Sequence, residues 1–371
     1  MAVEWKKLND VCSVHTGTQL NKEKMLEDGV YPVINGGQTS SGYTNAVNEK
    51  ANSITISQGG ESAGFVNWIN TDFWAGAHCY VLCDYNIDKR YLFHFLKSRE
   101  KQIRSKRQGA GIPGLNRKSL MSLNIPVPST SQQMILASKL DTFTSLISKL
   151  NGEIELRKKQ FEHYRDTLLS FNEKEGGVDH FAWKKISEIG TIYRGIAYSK
   201  KDFTETGTPC IHYGQIYTRY GTFADKTFTC VSDDFAKGKR LAKKGDLIMA
   251  VTSENLEDVG KCLAWLGEDD ILVSNHACFI RHSLNPKYLA YILQTSYFFN
   301  YKRKISKGVK VIDLDLNMFG EMLIPIPSME EQQSVVSKLD TFSNLISKLE
   351  GERDLHQKQY EYYREKLLTF E

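Results

Sequence analysis

Two long stretches of the chain space their apolar residues alternately four and three apart. In the first these are Leu136, Leu140, Phe143, Ile147, Leu150 and Ile154, resuming at Phe161, Tyr164, Leu168 and Phe171. In the second they are Val335, Leu339, Phe342, Ile346 and Leu349, resuming at Tyr360, Tyr363, Leu367 and Phe370. Such spacing is a heptad seam and predicts two long helices, each with one narrow apolar stripe. About 35 residues of seam correspond to about 52 Å of helix. Arg157, Arg353 and His356 occupy seam positions, where they either fix register or mark places where the helices splay. Gly152 and Gly351 interrupt the stripes, and a bend or break is expected there.

The two stripes are copies. Ile125 to Phe171 aligns with Ile324 to Phe370 without a gap, at a constant offset of 199, and more than half of the positions are identical. "SKLDTFTSLISKL" (138–150) and "SKLDTFSNLISKL" (337–349) differ at two positions. Each copy opens on a proline-interrupted segment, "IPVPS" or "IPIPS", in which helix is disfavoured. Ser129 with Gln132, and Ser328 with Glu331, then have the spacing of a capping box that starts a helix. Two helices with matching stripes, and no other of that length, are expected to pack on each other. A polar, glycine-bearing linker, "NEKEGGVDH" (172–180), follows the first.

The remaining segments, 1–124 and 181–323, correspond at their borders and not in their middles. Trp5-Lys6-Lys7-Leu8 matches Trp183-Lys184-Lys185-Ile186, and Gly17 matches Gly195. Gly109 and Leu115 match Gly308 and Leu314 at the helices' own offset. Short β-type runs, "NSITIS", "CYVLCDY", "CLAWLG" and "ACFIRH", lie among Gly, Asn and Ser clusters, so both segments read as mixed and strand-rich. His78, Cys79 and Cys83 fall in one such apolar run, and His276 and Cys278 in another. Both read as buried strand rather than as metal ligands, and no metal is expected. Near each segment's end a helical stretch follows, "DKRYLFHFLKSREKQIRSK" or "NPKYLAYILQTSYFFNYKRK".

Composition changes this picture little. The 371 residues suit two or more domains, and a net charge of +4 matters only where it is clustered. Seven scattered cysteines suggest reduced thiols in the cytoplasm, and no apolar run is long enough for a membrane helix. The charge is clustered where the terminal helices end, at Lys101, Arg104, Lys106 and Arg107 and again at Lys302, Arg303, Lys304, Lys307 and Lys310. Such runs are most often a solvated face; recurrence at matching places in divergent segments weakens that reading, and Lys and Arg so placed suit phosphate contact. Gln38, Tyr43, Gln215, Tyr217 and Arg219 stand in polar, aromatic loops, and Gln and Arg suit bidentate contact with base edges. No P-loop, G-x-S-x-G elbow, H-E-x-x-H, Asn-Pro-Pro-aromatic tetrapeptide or nuclease-type carboxylate–lysine core is present, so recognition without catalysis is expected. "DLD" (313–315) reads as structural.

The doubled pattern resembles the specificity subunit of type I restriction-modification systems over essentially the whole chain. The likeness rests on the W-K-K-[LI] openings, the G-x-x-[IV]-x-x-L and IP-[VI]-P-S…Q-Q closings, and the KLDTF…LISKL…YR…LL…F helices. It implies an α+β fold: two mixed α/β target recognition domains (1–124 and 181–323), separated by two long antiparallel helices forming a coiled-coil spacer (125–171 and 324–371). The internal repeat would be pseudo-twofold. It also implies a non-catalytic subunit whose partners are double-stranded DNA, two modification (methyltransferase) subunits and restriction subunits. S-adenosylmethionine, ATP and Mg then belong to the partners. Each domain would read half of a bipartite, asymmetric site, with half-site centres roughly 34 Å apart. A coiled-coil scaffold with two domains for peptides or sugars is the alternative from another class, and a free-standing repressor is a second.

Overall fold

A computed structural model describes residues 3–109, 113–170 and 181–370. The expected linker at 172–180, Phe171, and residues 110–112 of the first glycine loop lie outside the described residues. The chain opens on β1 (Glu4–Lys7), a single turn α1 (Leu8–Val11) and β2 (Ser13–Thr16). Strands β3 (Tyr31–Ile34), β4 (Tyr43–Thr44), β5 (Ser53–Ser57), β6 (Val66–Ile69), β7 (Trp74–Ala75) and β8 (Cys79–Cys83) follow. Helices α2 (Lys89–Ser98), α3 (Glu100–Ser105) and α4 (Arg117–Met121) lead to β9 (Asn124–Val127) and the long α5 (Thr130–Leu168).

The second half repeats this order with insertions. Its frame is β10 (Ala182–Lys185), α6 (Ile186–Ile189) and β11 (Gly190–Arg194). Next come β12 (Phe203–Thr204), β13 (Thr208–Ile211), α7 (Tyr213–Thr218), β14 (Phe223–Ala224), β15 (Thr229–Val231) and α8 (Asp233–Ala236). Strands β16 (Leu247–Ala250), β17 (Thr252–Ser253), β18 (Cys262–Trp265), β19 (Leu272–Val273) and β20 (Ala277–His282) complete the sheets. Helices α9 (Pro286–Ile292) and α10 (Ser296–Ile305), β21 (Ser306–Lys307), β22 (Ile312–Leu314), α11 (Leu316–Gly320) and β23 (Leu323–Ile326) precede the long α12 (Met329–Leu367).

The middles, expected to be unlike, share a topology. An antiparallel sheet of order β2-β8-β5-β6 in the first half matches β11-β20-β16-β18 in the second, where β14 is added at the edge. The sheet β4-β3-β7 matches β15-β13-β19, and in both the last pair is parallel. Side chains diverge freely because a sheet fixes only which positions are buried, not which apolar residue fills them. Where backbones touch, the choice narrows. A Cβ on Gly17 would lie 2.2 Å from the Ala75 carbonyl, and one on Gly195 would lie 2.2 Å from the Ser274 carbonyl, so both positions exclude side chains. The four quoted β-type runs are β5, β8, β18 and β20. Each expected terminal helix is a pair, α2 with α3 and α9 with α10; in the second a new cap starts the later member, Thr295 accepting from the Phe298 amide.

The chain divides into two compact units, one of Met1–Gly152 with Glu350–Glu371 and one of Glu153–Leu349. Each unit therefore contains the start of one long helix and the end of the other. In the first, Phe143 stacks on Tyr363 with ring centroids 5.5 Å apart. In the second, Phe342 packs against Tyr164 at 6.0 Å and Phe161 at 5.9 Å. Shifting Phe143 and Tyr164 by the repeat offset gives Phe342 and Tyr363, so these are one contact with its partners exchanged. An early residue of one helix faces a late residue of the other each time, which makes the pair antiparallel. Leu140 is buried in the first unit's core with Ile54, Leu92, Leu96, Tyr360 and Leu368, and Leu136, Phe143 and Ile147 pack half-buried against it. Leu150 is also buried. Val335 and Leu339 join Leu169, Ile186, Leu289 and Tyr291 in the second unit's core; Ile346 is buried, and Phe342 and Leu349 are half-buried. Arg157 pairs with Glu153 at 2.7 Å, Arg353 with Asp354 at 2.6 Å, and His356 hydrogen-bonds Gln359 at 3.0 Å, all along their own helices. Both capping boxes form: Ser129 and Gln132 exchange bonds of 3.3 and 3.4 Å, and Ser328 and Glu331 bonds of 2.9 and 3.2 Å.

Four contacts fasten each recognition segment to the strand and long helix that close its half. Trp5 faces Pro126 in the β1–β9 ladder as Trp183 faces Pro325 in β10–β23. Buried Gln133 donates to the Pro128 carbonyl (2.8 Å) and accepts from the Asp88 amide (2.8 Å); buried Gln332 does the same with Pro327 (2.9 Å) and Asn285 (2.9 Å). Tyr91 and Tyr288 donate to the carbonyls of Pro126 and Pro325 at 2.8 and 3.3 Å. Asp141 accepts from Arg90 and from His94 (2.7 Å), while Asp340 accepts from Lys287 (2.7 Å) and Tyr291 (2.8 Å). Burial opposes ionisation of Asp141, but hydrogen bonds from His94 and Arg90 outweigh it and hold the carboxyl below its ordinary value.

The expected break at Gly152 and Gly351 is absent: both helices run through, because a glycine keeps its backbone hydrogen bonds and costs only about 1 kcal/mol against alanine. A Cβ at either glycine meets nothing within 4 Å, so Gly152→Ala and Gly351→Ala should each stabilise by about 0.5–1 kcal/mol, read as a rise in the denaturation midpoint. A second expectation concerns acid. His94 is fully buried, with Nδ1 3.2 Å from the Tyr360 hydroxyl, and burial first, then Arg90 and Arg364, lower its pKa from 6.5 against the pull of Asp141. The unfolded chain therefore binds the proton more readily, so this contribution is complete above the unfolded value and is lost as pH falls towards the folded one. The equivalent Tyr291 has no such transition. Midpoints at about pH 7.5 and about pH 5.5 should show acid loosening that His94→Gln flattens; an equal slope in the variant would refute it.

Candidate nucleic-acid interface

Each basic run divides between cations turned inward and cations left in water. In the first unit Arg104 donates to the Glu61 carbonyl at 2.9 Å, and Arg107 donates to the Arg104 carbonyl at 2.8 Å and to Glu61 at 3.3 Å. They hold the glycine-bearing loop after β5 in shape. Lys101 is exposed, and Lys106 lines a groove of about 370 Å³ with Trp5, Arg99 and Gln102. In the second unit Lys302 is the counterpart. It is buried and donates to the carbonyls of Glu257 (2.9 Å) and Val259 (2.8 Å) in the loop after β17; burial depresses its pKa. Expected as a phosphate contact, Lys302 is instead a loop anchor, because its carbonyl partners lie in the interior. Arg303, Lys304 and Lys310 are exposed, and Lys307 reaches Asp315 at 3.5 Å while staying largely in water. Asp315 of the "DLD" run caps α11 by accepting from the Asn317 and Met318 amides, a structural role as expected.

The loop residues separate similarly. Gln38 and Tyr43 are exposed, and Arg219 is exposed with its guanidinium 5.2 Å from the Phe228 ring centroid. Gln215 is buried: its Oε1 accepts from the His212 amide (2.9 Å) and its Nε2 donates to Thr229 (3.1 Å). Both ends of the amide are thus occupied, which removes it from base contact. Tyr217 is half-buried and its hydroxyl donates to the Thr252 carbonyl, with burial raising its pKa. Sequence reading missed a surface cluster beside it. His276 hydrogen-bonds Thr252 Oγ1 at 3.0 Å and lies 4.9 Å from the Tyr213 ring, offering imidazole and phenol edges to solvent. Expected within buried strand, His276 stands exposed in the turn before β20, as His78 does before β8, because each apolar run enters its sheet only at the residue that follows.

Two further surface features recur. In the first unit a groove of about 680 Å³ runs along α5, lined by Ser138, Thr142, Leu146 and Lys149 and by Arg90. In the second a groove of about 730 Å³ runs along α12, lined by Ser337, Thr341, Leu345 and Lys348 and by Tyr164. Sequence reading ranked the seam residues of these helices and passed over the outer face. Burial pushes the thiols of Cys12, Cys79, Cys262 and Cys278 up to about 12, so they stay protonated. Among the described residues no helix is long and apolar enough to cross a membrane.

Comparison with known proteins bears on this arrangement directly. The model of the type I restriction modification DNA specificity domain matches residues 2–156 and again 179–355. The chain is 28% identical to the specificity subunit of the EcoR124I/EcoR124II type I restriction enzyme of Escherichia coli, over 99% of this chain and 94% of that one. It is 25% identical to a putative type I restriction enzyme specificity subunit of Haemophilus influenzae, over 99% and 96%. The crystal structure of a type I restriction-modification S subunit from M. genitalium has the same fold, with a TM-score of 0.65 at 18% identity and coverage of 99% and 96%. With two matched domains, each followed by one of two equivalent long helices, the chain belongs to the family of type I restriction-modification DNA specificity subunits.

Proposed function

We propose that the protein selects the DNA site of a type I restriction-modification complex and leaves the chemistry to its partners. Residues 1–124 and 181–323 act as two recognition domains, each reading one half of a bipartite, asymmetric site. The helical segments 125–171 and 324–371 act as spacers that set the unread gap and seat two methyltransferase subunits. S-adenosylmethionine, ATP and Mg are supplied by those and by restriction subunits, in the cytoplasm. One observation carries this reading: ladder, glutamine tie and carboxylate tie recur at matching positions around loops whose sequences do not match. A constant frame around variable contents is what two readers of different base pairs require. Lys101, Lys106, Arg303, Lys304, Lys307 and Lys310 meet phosphates; Gln38, Tyr43 and Arg219 meet base edges. Arg104, Arg107 and Lys302 hold the loops.

Adding seven residues to both spacers lengthens each by about 10 Å. Methylation sequencing of cells carrying that variant should show both half-sites unchanged and a wider gap between them; an unaltered gap would remove the spacer role. The cations can be separated by salt titration. Arg303→Ala with Lys304→Ala should weaken binding of the assembled complex to all DNA sequences and reduce the slope of log affinity against log salt by about 1 to 2. Lys302→Met should instead lower the unfolding midpoint and, in the complex that still assembles, leave the salt slope unchanged.

A further inference from the structure

The residue just before β8 is His78, and the residue just before β20 is His276. Backbone hydrogen bonds put the two at one position of the shared topology. The His78 carbonyl accepts from the Gln58 amide and the His276 carbonyl from the Val251 amide, both at 2.9 Å. Next along, the carbonyls of Cys79 and Ala277 accept from Gly17 and Gly195 at 3.1 and 3.0 Å, and their amides close the turn on Gly76 and Ser274. The surroundings differ. The turns read Gly76-Ala77-His78-Cys79 and Ser274-Asn275-His276-Ala277, and Gln58-Gly59-Gly60 after β5 stands where Val251-Thr252-Ser253 follows β16. Gly36 adjoins one histidine and Tyr213 the other. Packing does not account for the shared choice. Both side chains are exposed. His276 bonds Thr252 Oγ1 and lies against Tyr213, whereas His78 makes no hydrogen bond, ion pair or ring contact among the described residues. Neither has a positive φ, so the backbone does not demand a special residue there. Exposed positions of this kind ordinarily tolerate substitution at little cost.

A side chain kept at one place while its neighbours change serves something that both domains meet in the same form. Two readers of different base pairs share no base sequence; they share the phosphodiester backbone. We infer that His78 and His276 are equivalent backbone contacts, one in each recognition domain. Each donates an imidazole N–H to a phosphate and so sets the register in which the adjoining, unlike loops meet base edges. An imidazole carries at least one N–H in either charge state, so the contact does not depend on a tautomer or on a neighbouring residue. This rests on the reading of 1–124 and 181–323 as recognition domains, and it adds to that reading one contact per domain outside the basic runs. The differing neighbours, Gly36 and Gln58 in the first unit, Tyr213 and Thr252 in the second, then belong to what each domain reads, and the histidines to what holds it in place.

The full-length chain assembled with its modification subunits provides the test. Binding is measured on a duplex bearing the site found by methylation sequencing and on one with both half-sites scrambled. His78→Ala and His276→Ala should each weaken binding about tenfold, the loss of one hydrogen bond to a charged group, and should do so on both duplexes alike. The methylated sequence should stay the same. His78→Lys and His276→Lys should recover most of the affinity, since an ammonium also holds a phosphate but does not have the edge of an imidazole. A loss confined to the site-bearing duplex, or a changed base in the methylated sequence, makes the histidines base readers and overturns the proposal. Modification subunits missing from either alanine variant in native mass spectrometry make the turn a partner contact and overturn it too. Affinity unchanged in both alanine variants does the same. An unaltered complex that binds the two duplexes equally overturns the recognition reading itself.

Discussion

Neither recognition segment closes its core with its own residues. In the unit that holds the chain start, the far end of α12 supplies Tyr360 and Leu368 to a core whose other members come from residues 8–140. In the other unit Leu169, from the end of α5, packs with Leu289 and Leu339. The antiparallel pairing of two copied helices is therefore the constraint on which the rest depends, since each helix finishes a core that its own half-repeat did not begin. Contacts such as Phe143 on Tyr363 and Phe342 on Tyr164 have to be interchangeable, and the repeat makes them so. Burial of aromatic and branched side chains supplies the energy; the polar ties fix where it is spent.

The ties show how one frame tolerates different contents. Gln133 and Gln332 use backbone carbonyls and amides as partners, so nothing in the adjoining sequence has to match. Asp141 and Asp340 accept from whatever donors the facing helix provides, arginine and histidine in one case, lysine and tyrosine in the other. A carboxylate with several acceptor sites is suited to that. The recognition segments can then change their loops while the anchor geometry stays fixed.

The helices and their pairing were legible because a heptad stripe and a gapless internal copy are strong, redundant signals. The capping boxes were legible for the same reason: their spacing is local. The shared sheet topology was not, because strands of different sequence satisfy one burial pattern. Within the interface, sequence identified the basic runs but could not say which way each side chain turns. Lys302 and Lys304 read alike in the chain, yet they face opposite directions around α10. Gln215 had the chemistry of a base reader and the position of a helix cap. Asp141 and Gln133 went unremarked because their partners lie dozens of residues away.

The discontinuity of the first unit reaches beyond the finished structure. Glu153–Leu349 is one uninterrupted run, whereas the other unit joins the first 152 residues to the last 22. During synthesis, which proceeds from the amino terminus, the later-made half has all its pieces before the earlier-made half does. Leu92 and Leu96 wait for Tyr360 and Leu368, so the core of the first unit stays incomplete until α12 has been made. The order in which the two cores can be completed is thus the reverse of the order of translation, and a chain without the end of α12 would leave the first unit, not the second, with an unfinished interior.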